Sequence, residues 1–376
     1  MTDQPRGGER GRAARRDVVI IGSGSLARAL CCSCAAVLDG AFRILVAARS
    51  GDRAAEICRV ANAESSLRDA KVRFDPAGAD FDRAEDVASL VSRTRPTVVV
   101  VCASLQSPWE SRSAPSGWTD FIRRAGYGVT LPLQARIAAT FARAIAEHAP
   151  DALLINACLP DVTNRALTAL GLPVFCGIGN VATIAATLQS ALQAPSQDLL
   201  QVLSHHVQLH DPPPGCAEAL AWYDGQPIDG ITELLAGQRA TSGRALNHVA
   251  ALSAALLLDA LLRDVKLLTS LPGPLGLPGG YPVRITGRHV ELRLPPGVSR
   301  HSAVEWNTEV GLFDGVAVSG SGQICFSAPG VRALRDYAPE LAEGFPAEDL
   351  ASACEQLLSV RDRLRGMPAC ATPEGK

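Results

Sequence analysis

With 376 residues, a net charge of −2 and 5 % aromatic residues, the chain is long enough for two domains but lacks the basic surface and stacking platforms of a nucleic-acid binder. Nothing in that balance calls for an anionic membrane either. Five arginines (Arg6, Arg10, Arg12, Arg15 and Arg16) make residues 1–16 read as a disordered, solubilising tail, because no apolar signal core follows them and a strand begins at once.

The first element is the apolar run over residues 17–21, which stops at Gly22-Ser23-Gly24-Ser25-Leu26-Ala27 and gives way to a helix-compatible segment. This is the G-x-G-x-x-A form of the dinucleotide fingerprint in its strand–turn–helix setting. Gly22 allows the tight turn, Gly24 lets the backbone approach a pyrophosphate, and Ala27 lets the helix pack on its strand. Backbone N–H groups of Gly22, Ser23, Gly24, Ser25 and Leu26, at a helix N-terminus, are expected to hold the diphosphate.

Further elements alternate in the same way. Strands are expected at 42–48, 71–74, 97–102 and 152–156, with helices at 53–63, 82–93 and 130–147 between them. Apolar runs without period-two alternation, separated by helices, predict a doubly wound parallel sheet of the α/β class covered on both faces. The sequence therefore divides into a dinucleotide-binding domain at 17–157 and an α+β substrate and dimerisation domain at 158–376, with a homodimer expected. Arg49 and Ser50, at the end of the second strand, suit the 2′-phosphate of NADP, and Arg53 adds charge. Asp52 is the rival that would favour NAD.

After the 97–102 strand, Ala103 and Ser104 should border the nicotinamide side of the cleft, and the serine- and proline-rich stretch to residue 113 reads as a mobile loop. Arg112 on that loop is either a clamp for an anionic substrate or an ordinary surface arginine.

Beyond residue 155 more specific patterns follow. Ile155-Asn156-Ala157-Cys158-Leu159-Pro160-Asp161-Val162-Thr163-Asn164 and Gly171-Leu172-Pro173-Val174-Phe175-Cys176-Gly177-Ile178-Gly179 precede Val202-Leu203-Ser204-His205-His206, an apolar helix over 247–262 and a glycine/proline-rich hairpin over 271–283. In that order they resemble the lactate/malate dehydrogenase superfamily, which implies an NAD(P)-dependent dehydrogenase with a Rossmann domain. The run AARSGDRAAEI (47–57) is more similar to saccharopine-dehydrogenase-type nucleotide domains. By position His206 matches the family's catalytic histidine. The family's aspartate partner and substrate-binding arginine have no counterpart in the segment 180–188, so nothing there fixes the His206 tautomer.

His206 is the expected proton donor, since imidazole titrates near neutrality; in a strand His205 would face the other way. Asn156, at a strand end, is the candidate orienter of nicotinamide or substrate, against a role in satisfying turn backbone. Asn247 opens the 247–262 helix and is equally credible as its N-cap. His205-His206-x-x-x-His210 lacks a full metal-ligand set, so no metal is expected; related nicotinamide-dependent glycosidases use a metal, but Gly179 stands at their cysteine position. The eleven cysteines, without zinc spacing, read as small buried hydrophobes of a cytoplasmic protein. The longest apolar segment, 249–262, is too short for a membrane span and contains Asp259. The Gly/Pro run 272–282 is either a rigid loop over the site or a hairpin at a subunit contact.

These readings converge on an NADP-preferring oxidoreductase, with NAD possible, acting on a small polar hydroxy/oxo acid or imine/amine. The alternatives are an opine- or saccharopine-type dehydrogenase and a nucleotide-binding sensor that has lost its chemistry.

Overall fold

The computed structural model describes residues 17–369; the tail read over 1–16 lies outside them. Six parallel strands form the central sheet: β1 (Val18–Ile21), β2 (Arg43–Ala48), β3 (Arg73–Gly78), β4 (Val98–Val101), β5 (Leu153–Asn156) and β6 (Cys176–Gly177). Their order is β3-β2-β1-β4-β5-β6, so the winding reverses between β1 and β4. Val18 pairs with both Ile44 and Val98 across that point. In such a sheet a ligand is received beyond the strand C-termini, where the connections diverge.

Every residue of β1 and β4 is buried, which explains continuous apolar runs rather than alternation. The covering helices are α1 (Ser25–Val37), α2 (Gly51–Leu67), α3 (Ala84–Thr94), α4 (Glu110–Ser113), α5 (Gly117–Ala125) and α6 (Leu131–His148), followed by α7 (Pro160–Ala169) and α8 (Asn180–Ala191). The third strand is longer than the 71–74 read from sequence. It carries Asp75, Pro76 and Gly78 because it is the sheet edge, where a missing backbone donor and polar side chains are tolerated.

The second half adds three small antiparallel sheets. The expected hairpin forms from Leu267–Pro272 and Gly280–Thr286. Its glycine-rich connection packs inside the protein against Asn164 and Thr168 of α7 and against Asn307, so it is not a loop over the cleft. The strand expected through His205 and His206 ends instead at Leu203, and His206–Leu209 is a 3₁₀ turn.

The long helix starts at Gly243, with the Ser242 hydroxyl accepting from Ala245 N as its cap, so Asn247 lies one turn inside. At 21 residues it is long and apolar enough to cross a membrane. Here its Ala/Leu stripe packs on α1: Ala251, Ala254, Leu257 and Leu258 share one core with Ala27, Leu30 and Cys34. Small side chains on both helices permit the close approach. Tyr281 and Val283 belong to the same core, and β6 joins the sheet from beyond residue 157. The halves of the sequence are thus fused through shared packing.

Leu257 is fully buried in this joint. Leu257→Ala is expected to cost about 2–5 kcal/mol, with urea unfolding still a single transition. Two separated transitions in wild type would show that the halves unfold independently.

Candidate active site

A cavity of about 760 Å³ opens at the C-terminal ends of the strands. One wall is the turn after β1. Gly22 has φ +119°, and a Cβ there would lie 3.0 Å from the Cys102 carbonyl oxygen, so this position requires glycine. Gly24, the N-cap of α1, supplies no side-chain cap, the first turn holds no acidic residue, and a Cβ at Gly24 would meet nothing within 4 Å. The result is a helix N-terminus with uncapped N–H groups facing open space, which suits a diphosphate. Gly22, Ser23, Gly24, Ser25 and Leu26 all line the cavity, and Asn247 Nδ2 ties Ser25 Oγ at 3.0 Å.

At the end of β2, Arg49, Ser50 and Arg53 also face the cavity, whereas Asp52 does not. Ser50 caps α2 by accepting from Arg53 N at 3.3 Å. Arg49 is exposed and has no ion pair among the described residues. This edge is electropositive and matches a phosphate monoester better than ribose hydroxyls.

The opposite end contains His206. Its ring Nδ1 is 3.0 Å from Oδ2 of Asp314, the last residue of the helix Arg300–Asp314. The helix approaches the histidine pair closely because residue 311 is glycine: a Cβ there would sit 3.1 Å from His205 Nε2. The His206 backbone N–H donates to Asp161 Oδ1 at 3.0 Å, and Asp161 Oδ2 accepts from Asn180 Nδ2 at 2.8 Å. Tyr127 lies beside the imidazole, with ring centroids 5.8 Å apart. With Nδ1 engaged, Nε2 is the nitrogen left for a ligand.

The electrostatics follow from this arrangement. Burial alone would push the imidazole down, but the charge and hydrogen bond of Asp314, with Asp161 behind, carry His206 up to about 9. Burial would raise Asp314, yet the charge and hydrogen bond of His206 hold it below the usual carboxylate range. The site at neutral pH is an imidazolium–carboxylate pair. His205 is the reverse case: it is 2 % exposed and lowered by burial, and its Nδ1 accepts from Val207 N.

The partner that the sequence reading found missing is therefore supplied by Asp314, 108 residues further on. Helix α8 contributes Asn180 and Thr183 to the cavity and neither an acid nor an arginine. The only local sign of Asp314 is an acidic residue closing an apolar stretch before Gly315.

The stretch after β4 holds Ala103 and Ser104 against the cavity, with Ser104 Oγ donating to Gln106 O at 2.7 Å. The expected mobile loop is anchored. Trp109 packs on the start of the 243–263 helix with the Arg244 guanidinium 5.8 Å over its ring, and buried Glu110 takes a bidentate pair from Arg365 at 2.7 and 2.6 Å. Arg112, on this flap, is exposed and lines the cavity near His210, which burial and the charges of His206 and Arg112 lower.

Asn156 is placed elsewhere. It is fully buried, its Nδ2 donates to Cys158 O and Asn164 Oδ1, and its Oδ1 accepts from Cys158 N. Its amide is spent on the β5–α7 turn. His206, Arg112 and Asn247 reach the cavity; Asn156 does not.

The fold is similar to that of malate and lactate dehydrogenases. The chain superposes on malate dehydrogenase from Aeropyrum pernix with a TM-score of 0.51 at 17 % identity, covering 79 % of this chain and 97 % of that one. For lactate dehydrogenase from Cryptosporidium parvum, a complex with lactic acid and nicotinamide adenine dinucleotide, the values are 0.52, 16 %, 80 % and 97 %. Malate dehydrogenase from Picrophilus torridus gives 0.52, 15 %, 80 % and 98 %. No family model and no curated protein matches the sequence. At these identities the likeness establishes the Rossmann-type architecture.

The His206–Asp314 pair has a consequence for stability. A histidine raised in the folded state stabilises below its unfolded value near 6.5 and loses that contribution as pH rises through about 9. Wild type is expected to lose on the order of 3 kcal/mol from this group across that interval. Chemical denaturation at a series of pH values should show the loss in wild type and a flat profile for Asp314→Asn.

Proposed function

We propose that this chain is an NADP-preferring oxidoreductase that transfers a hydride between the nicotinamide and a carbonyl or imine carbon of a small polar metabolite. One observation carries the reading: the glycine turn after β1 and the charged His206–Asp314 pair open into the same cavity. The cofactor, when bound, supplies the hydride chemistry. The turn's N–H groups would hold its diphosphate, and Arg49, Ser50 and Arg53 its adenosine phosphate.

In the reducing direction His206, already imidazolium, donates a proton from Nε2 to the developing oxyanion or amine nitrogen. Asp314 holds the tautomer through Nδ1 and stabilises the cation, and Asp161 fixes the backbone that presents the ring. Arg112 supplies positive charge for substrate carboxylates, with His210 beside it held neutral as a hydrogen-bonding group. In the oxidising direction neutral His206 accepts the proton, so that activity rises toward pH 9.

A second substrate reading, an opine- or saccharopine-type dehydrogenase working on an amino-acid conjugate, gains from the absence of an arginine on α8 where a simple 2-oxo acid would be clamped. The cation enters instead from the flap, at Arg112. The ten described cysteines are all free, which suits a reducing cytoplasm. Leu252 and Leu256, one turn apart and exposed, support a homodimer.

The test is NADPH oxidation with 2-oxo acids alone and with amino acids added. His206→Gln should lower kcat by about 10²–10⁴-fold while leaving the NADPH Kd unchanged. Gly24→Ser, which keeps a good N-cap and whose Cβ meets no protein atom within 4 Å, should weaken nucleotide binding with little change in Tm. Saturable nucleotide binding with no turnover on either substrate set would favour a sensor.

A further inference from the structure

A second cavity, of about 580 Å³, lies behind the adenosine end of the first. The two share a wall. Arg49 lines both; Phe81 faces the first and Asp82 the second; Ser104 and Gln106 face the first and Leu105 the second. On the far side stand Arg136 of α6 and Glu355, Leu358, Arg361 and Arg365 of the C-terminal helix Leu350–Arg365. The rim thus carries four arginines against two carboxylates.

These arginines are not equivalent. Arg365 is spent on Glu110, and so anchors the flap. Arg361 is held in place by two bonds, Nη1 to Leu105 O at 2.9 Å and Nε to Asp362 at 3.1 Å, and its side chain is 14 % exposed. Its Nη2 has no partner among the described residues. Among the described residues the Arg136 guanidinium meets only Glu355, at 3.1 Å, and that carboxylate is 63 % exposed, so water screens the pair. Arg49 is unpaired. Three guanidinium groups with unused donors therefore line one cavity from facing sides, with Asp82 and Glu355 as the carboxylates of its lining and exposed Asp362 on Arg361 Nε. That excess fits a compact dianion such as a phosphate monoester.

Resting on the reading that the first cavity takes NADP, we propose that Arg136 and Arg361, behind Arg49, complete the receptor for the 2′-phosphate of its adenosine half. The C-terminal helix thereby becomes a determinant of cofactor choice. Such a role has no counterpart in the motif after β2, which ends at Arg53.

The experiment measures binding of 2′,5′-ADP and of ADP by calorimetry, with inorganic phosphate as a third ligand. Wild type should prefer 2′,5′-ADP by about tenfold or more, the scale of one charge-assisted contact. Arg361→Gln and Arg136→Gln should each lose most of that preference with ADP binding unchanged. Glu355→Gln, which frees Arg136, should tighten 2′,5′-ADP, a gain that damaged folding cannot produce. If Arg49→Ala abolishes the preference while Arg361→Gln and Arg136→Gln leave it intact, the proposal is overturned and the NADP reading stands. Inorganic phosphate that binds without displacing 2′,5′-ADP would also overturn it, by showing a separate anion site. Failure of wild type to bind either nucleotide would remove the cofactor reading itself.

Discussion

A carboxylate at the C-terminal end of a helix, 6 % exposed, is in the worst place for a negative charge: water is excluded and the helix dipole opposes it. Asp314 stays ionised there because His206 lies 3.0 Å away. The imidazole, in turn, holds its proton in a half-buried position because Asp314 and Asp161 face it. Neither group is stable as an ion without the other. Removing one partner leaves a buried charge uncompensated, a loss of about 3–5 kcal/mol. The pair thus ties the 300–314 helix to the turn after Leu203, and Asp161 ties that turn to the start of α7. Three segments far apart in sequence meet at one ring, and its free nitrogen points to the cavity.

The sheet and its turn form the far end of the cavity that His206 lines. The reversal of strand order between β1 and β4 opens a crevice, and a glycine turn at its lip exposes helix N–H groups. Packing of the 243–263 helix on α1 brings the second half over this crevice, with Asn247 bonded to Ser25 at the junction. The flap over the opening is secured by Glu110 and Arg365, so flap and C-terminal helix are mechanically linked. Architecture of this kind hosts many reactions; the chemistry resides in the side chains placed on its connections.

What the sequence discloses divides along the same lines. Buried strands β1 and β4 are legible because both faces are covered, which writes the burial into four consecutive apolar residues. The G-x-G-x-x-A turn is legible because backbone approach demands residue types without bulk. The edge strand β3 is legible only to residue 74 because its Asp75, Pro76 and Gly78 carry no hydrophobic signal. The histidine turn reads as strand from its apolar neighbours, while its real geometry depends on Gln208 accepting from His205 N. Asn156 looks free in sequence, and only Asn164, on the next helix, reveals that its amide is used. Asp314 was beyond reach for a plain reason: a contact across 108 residues leaves no periodicity to detect.

The most direct measurement is the titration of the His206 imidazole by NMR in wild type and in Asp314→Asn. The coupled pair predicts a value of about 9 in wild type. In the variant, where burial acts with less opposition, it predicts a large downward shift. A wild-type His206 that titrates at or below the ordinary value of about 6.5, or one that does not move when Asp314 is neutralised, would contradict it.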